Sequence, residues 1–232
     1  MDENTKPLVD SIKACESQIE TALVDLEMQE KPEPALEVYL AVKSKLDALE
    51  PQAEHPEYPA HQSVLAYCLM RTANILRQLD RGTEAAKLTE LEIAAARHSG
   101  DQVTLGRSLM SHGMTTILAG EIESGVTMID EALTCFEYGE SYDHIQGRGW
   151  LWILWADLSN AGLLKAEPED VKHAANQAIA LLLPIENWPG VARAYAARAA
   201  AYAALGDPDA ADADREKQAL YAQMPQENGL EN

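Results

Sequence analysis

Six histidines, three cysteines and 38 carboxylates are the side chains from which this 232-residue chain would have to build chemistry. The histidines stand at positions 55, 61, 98, 112, 144 and 173. No two form HxxxH or HExxH, the spacings that turn a pair of imidazoles toward one zinc ion on a helix face. Cys15, Cys68 and Cys135 are isolated and odd in number, with no CxxC pair. They predict neither a zinc site nor a closed disulfide framework, and read as reduced thiols packed like small apolar side chains. The GRGW segment at Gly147 to Trp150 lacks the third glycine and the preceding strand of a dinucleotide loop, and neither GxxxxGK[ST] nor GxSxG occurs. With so many Asp and Glu, pairs of carboxylates must approach one another, and no spacing marks one pair as general acid and base. The residues thus predict no catalytic group, no cofactor and no metal, and a protein that is not an enzyme.

Charge narrows the partners. The excess of 38 acidic over 18 basic residues gives a formal charge of −20, which repels nucleic-acid phosphates and anionic lipid and attracts a basic partner at long range. The start, MDENTKPLVDSIK, has no basic segment followed by an apolar run, so no secretory signal is expected. The most apolar stretch, GWLWILWADLSNAGLL, is interrupted by Asp157 and falls short of a membrane span. A cytoplasmic protein is the expectation.

The elements that would position these side chains are helices. Hydrophobic residues make up 47% of the chain, much of it Ala and Leu, whereas Phe occurs once, a composition that favours helix over sheet. Apolar residues recur at three- and four-residue steps, which predicts ten helices over 6–29, 33–49, 60–79, 83–98, 102–118, 121–137, 143–162, 168–183, 189–204 and 208–222. Asp207 before Pro208, and Asp101 after Gly100, read as helix starts, since a carboxylate there accepts from free amides and proline has no amide to lose. PQAEHPEYP carries three prolines in nine residues and cannot be continuous helix. It predicts a connection at 51–59, acting as a hinge between an N-terminal hairpin at 1–50 and a repeat array at 60–222, with a flexible tail at 223–232.

Small residues betray an internal repeat. Gly113 and Gly125, Ala73 and Ala85, and Ala199 and Ala211 are each 12 residues apart, as are Leu23 and Ala35, whereas Ala156 and Ala174 are 18 apart because of an insertion around KAEPED. A residue with little or no side chain is needed where the two helices of a hairpin cross closely. The flanking pattern positions follow in register, bulky at Ile19, Leu26, Tyr39 and Val42, at Leu109 and Ile129, at Trp152 and Leu181, and at Tyr195 and Tyr202, and small at Ala132 and Ala178. On these residues the chain resembles the tetratricopeptide repeat family in a longer variant, with a period of about 40 to 50 residues. The resemblance implies an all-α, right-handed α-α superhelix of about five antiparallel hairpins, closed at its end by the polar helix DAADADREKQAL. Thr89, Glu92, Thr116 and Arg215 depart from the pattern, which prefers apolar side chains there.

The same resemblance implies a groove lined by the first helix of each hairpin. Its positions fall on Tyr67, Met70, Asn74 and Arg77; on Arg107, Met110, Met114 and Ile117; on Trp150, Ile153, Asp157 and Asn160; and on Arg193 followed by alanines. Trp, Tyr and Met offer adaptable apolar area and Arg and Asn fix polar groups, so the stripe predicts docking of another protein or peptide, basic or amphipathic. Inter-repeat packing is the competing use of each apolar member. Met70 occupies the place where relatives that clamp a C-terminal double carboxylate carry lysine, so such tails are not expected to bind. Two other readings remain open at this level: a ligand-responsive regulator with a closed pocket, and a self-assembling structural protein that forms homo-oligomers.

Overall fold

Several helices start where backbone amides find a substitute acceptor. Asp101 accepts from the amides of Thr104 at 2.9 Å and Val103 at 3.3 Å, Asn187 from Gly190 at 3.0 Å, and Asp207 from Ala210 at 3.1 Å. Each satisfies a donor that the first helical turn leaves free. Glu167 and Asp170 form a reciprocal capping box ahead of Pro168. The computed structural model describes residues 6–225. In these residues the chain forms ten helices: α1 Lys6–Ala22, α2 Pro32–Leu49, α3 Tyr58–Gln78, α4 Gly82–Ser99, α5 Gln102–Leu118, α6 Ile122–Phe136, α7 Tyr142–Asn160, α8 Pro168–Leu182, α9 Trp188–Ala204 and α10 Pro208–Ala222. A π-helical turn, Leu23–Glu27, extends α1, and no strand occurs among the described residues. The tail expected from 223 onward lies outside the described residues beyond Pro225.

The chain divides into two compact units, Met1–Ser111 and His112–Asn232. In the first unit, α1 to α4 enclose one core that includes Ile12, Ile19, Tyr39, Leu46, Ile75 and Ala85. Its polar centre is Glu27, which accepts from the Tyr39 hydroxyl at 2.8 Å and from Arg71 Nε at 3.0 Å, and pairs with Arg71 Nη2 as well. Side chains and backbone around the 51–59 connection make contacts across it. Pro51 is buried, His61 Nε2 lies 2.9 Å from the Leu46 carbonyl oxygen, and the Cys68 thiol donates to the Tyr39 carbonyl at 3.3 Å. The prolines break the helix as expected, but a shared core ties together the helices on either side of them.

The small residues sit where helices cross. A Cβ added to Gly113 would lie 2.8 Å from the Gly125 carbonyl oxygen, and one added to Gly125 would lie 2.6 Å from that of Gly113. Ala73 and Ala85, Ala156 and Ala174, and Ala199 and Ala211 are all 3% exposed or less. The first hairpin differs: Ala22, 2% exposed, is the buried small residue that shares a core with Ala35, while Leu23 is half-buried. The extra residue between the pair is absorbed by the π-helical turn that begins at Leu23, since that geometry inserts one residue into an α-helix. GRGW lies inside α7, where both glycines are contact points: a Cβ on Gly147 would meet the Phe136 ring at 2.4 Å and one on Gly149 would meet Leu182 at 2.5 Å. Arg148 between them donates to the Phe136 and Gly139 carbonyls at 2.6 and 2.7 Å, closing the C-terminal end of α6. Ala211 and Asp214 of α10 are buried and Tyr221 packs partly against the core, while the opposite face of the helix stays in solvent.

Candidate functional site

In the second unit, α7, α9 and the end of α10 frame an open recess of about 630 Å³. Its side walls come from α7, where Trp150, Asp157 and Asn160 share one face. Its floor comes from α9, where Ala192, Ala196, Ala197 and Ala200 recur at helical spacing and leave the backbone thinly covered. Two polar contacts stiffen the frame. Arg193 Nε donates to Asp157 Oδ2 at 2.7 Å, and Asn160 Nδ2 donates to the Ala197 carbonyl oxygen at 3.1 Å. The Arg193 side chain is 60% exposed and that of Asp157 30%, so this ion pair is solvated, worth about 0–1 kcal/mol, and easily exchanged for a charged guest.

Of the expected stripe in this unit, Trp150, Asp157, Asn160 and Arg193 line the recess, whereas Ile153 does not. Ile153 is 1% exposed and packs among Ala178, Leu182, Val191 and Tyr195, so its side chain belongs to the core. Met114 is half-buried on α5. In the first unit, Tyr67, Met70, Asn74 and Arg77 on α3, and Arg107 and Met110 on α5, are also half-buried. Burial raises the pKa of the Tyr67 hydroxyl, with the cations of Arg71 and Arg107 opposing the shift. Arg77 Nη1 donates to Asn74 Oδ1 at 2.8 Å, while its Nε and Nη2 are buried without a hydrogen-bond partner. Burial lowers the Arg77 pKa, and Glu92 across the helix contact opposes that. Ile117 is fully buried.

Several residues escaped the pattern. Pro189, Gln218 and Ala222 also line the recess, the last two from a helix that the repeat pattern assigns only a capping role. The α9 alanines were visible as a stripe, but nothing in an alanine announces a floor. Arg198 and Asp214, paired through two hydrogen bonds of 2.6 and 2.8 Å, were invisible because the partners are far apart in sequence.

The thiols are enclosed. The three cysteines are buried. Burial raises the pKa of the Cys15 thiol and pushes that of Cys68 up to about 12, far from the thiolate that nucleophilic chemistry requires. Among the described residues no group of three His, Cys, Asp or Glu side chains is arranged to hold a metal ion. No described helix is long and apolar enough to cross a membrane.

Helices paired through Gly and Ala crossings at a repeating interval define an all-α protein of the tetratricopeptide-like helical-repeat fold. Solved structures carry the same fold. BtubC (BKLC) of P. vanneervenii matches with a TM-score of 0.61 at 14% identity, over 97% of this chain and 96% of that one. A Podosopora anserina kinesin light chain candidate with nearly identical TPR-like repeats matches at 0.54 and 15%, over 91% and 96% of the two chains. A point variant of that same Podosopora anserina protein matches at 0.55 and 15%, over 88% and 92%. No family model matches the sequence, and no curated protein matches it.

Proposed function

We propose that this protein is a non-catalytic interaction module that holds a segment of another protein against the α7–α9 face. The recess carries this reading: about 630 Å³ of open space over a floor of alanines, with one aromatic wall and one exchangeable ion pair. A floor of small side chains lets a guest backbone come close, Trp150 supplies rigid apolar area, and Asp157 and Arg193 fix charged groups. A basic, amphipathic helix or extended peptide suits these features, because the formal charge of −20 attracts it and Asp157 can exchange Arg193 for its cation.

The test is capture of the native partner from the source cell by three forms of the protein: wild type, Ala200→Trp to fill the recess, and Arg193→Glu to reverse the charge at its rim. Ala200 and Arg193 are exposed, so both variants should keep the helical circular dichroism and melting temperature of wild type. Loss of the partner from both variants supports the reading, and undiminished capture by both places the interface elsewhere.

A further inference from the structure

The inner face of α4 carries a carboxyl among side chains that otherwise suit a core. Ala85, Thr89, Glu92 and Ala96 follow one another at helical spacing and are each 1% exposed or less. Thr89 resolves its polarity locally, its hydroxyl donating to the Ala85 carbonyl at 3.1 Å. Glu92 has no such local outlet: it is 0% exposed, no hydrogen bond of full geometry reaches either carboxylate oxygen, and the Ser108 hydroxyl is the one neutral donor close enough to act on it. The groups that act on it are the Arg77 guanidinium from α3 and the Ser108 hydroxyl from α5, itself 1% exposed. Arg77 is committed through Nη1 to Asn74, and its Nε and Nη2 are buried without partners. A cation and a carboxyl thus face the same contact unbonded to each other, an arrangement whose cost depends on whether the carboxyl is charged.

We propose that Glu92 is a proton-linked latch on the contact of α4 with α3 and α5. The contact closes over the neutral carboxyl. Loss of the proton leaves a buried anion that Ser108 and Arg77 only partly offset, draws Arg77 from Asn74 toward it, and loosens α4. The latch is independent of the recess in the second unit and stands or falls without it.

Burial pushes the Glu92 pKa up to about 7, with Ser108 and Arg77 opposing, from an ordinary value of 4.5. An acid whose folded-state pKa lies above its unfolded one binds more protons when folded. Its contribution to stability is therefore full below pH 4.5, falls as pH rises toward 7, and stays lost above that. Each pH unit across this window changes the folding equilibrium by up to about tenfold. α5 also carries His112 one turn beyond Ser108, so the pH slope must be compared between forms that both retain it.

Denaturant unfolding of wild type and Glu92→Gln from pH 4.5 to 8.5, with amide exchange along α4, tests the latch. The unfolding constant of wild type should rise relative to that of the variant by roughly a hundredfold across the range. Once the intrinsic base-catalysed rise of exchange is divided out, protection along α4 should fall with pH in wild type alone. Carboxyl carbon titration by NMR on the unmutated protein provides a second reading that does not depend on the variant folding, and should show one glutamate with a midpoint near neutrality. Parallel pH profiles for the two proteins, or glutamates that all titrate below pH 5, overturn the proposal.

Discussion

Gly113 and Gly125 leave no room for a single carbon between their helices: a Cβ on either would lie within 2.8 Å of the other's carbonyl oxygen. The clash is with backbone, so no rotamer change relieves it, and α5 and α6 would have to separate. Gly113→Ala or Gly125→Ala is expected to lower stability by about 1–3 kcal/mol. Because both residues serve one crossing, the double substitution should cost less than the sum of the singles, the first carbon having already opened the gap. Urea unfolding of the three variants checks this. Fully additive costs would show that the two positions act separately.

Arg198 and Asp214 tie α10 to α9 by an ion pair whose side chains are 16% and 4% exposed. Arg198 also donates to Asn176 of α8 at 2.6 Å and lies 5.0 Å from the centre of the Tyr195 ring. Removing the cation leaves a buried carboxylate, so Arg198→Met is expected to cost about 3–5 kcal/mol. Arg198→Met with Asp214→Leu should recover most of that, since two apolar side chains leave nothing unpaired. Hydrogen exchange in α10 gives the local readout, and equal damage from the single and double variants would argue against this origin of the cost.

How far the sequence speaks for itself follows from these residues. Gly113 and Gly125 announce their crossing because steric exclusion depends on residue type alone, and Asp101 and Asp207 announce helix starts because a cap is a local bond. The Leu23 position misleads by one residue because a π-helical turn shifts register without a marker of its own. The prolines at 51–59 signal a broken helix correctly, yet say nothing of the core that joins the helices around them. Within the α7 stripe, Asp157 lines the recess while Ile153 is taken into the core, a choice made by what α8 and α9 place opposite. Glu92 stood out as a residue unsuited to its place, but its surroundings depend on Arg77 and Ser108, brought to it by other helices.

The thiols make a simple prediction. Cys15, Cys68 and Cys135 are buried thiols, none of them in a disulfide, and Cys68 is held near 12 by burial. Thiolate is the reactive form, so an aromatic disulfide reagent at pH 8 should modify none of the three on the native protein within minutes and all three in denaturant. Rapid release of chromophore without denaturant would mean that the core around Cys68 opens readily.

Tyr39 should be the most reluctant of the tyrosines to ionise. Burial raises its pKa first, and the hydrogen bond and negative charge of Glu27 add to the shift, while Arg71 opposes it. Alkaline absorbance titrations of wild type and Tyr39→Phe are therefore expected to overlap until the protein begins to unfold, then to differ by one phenolate. The substitution removes a bond to a charged acceptor and should cost about 1–2 kcal/mol, because Glu27 keeps Arg71. Arg71→Met should cost more, about 3 kcal/mol, because Glu27, with a side chain 9% exposed, then keeps only a neutral donor. If Tyr39→Phe proved the more damaging of the two, the phenol rather than the guanidinium would be what holds Glu27 inside the first unit.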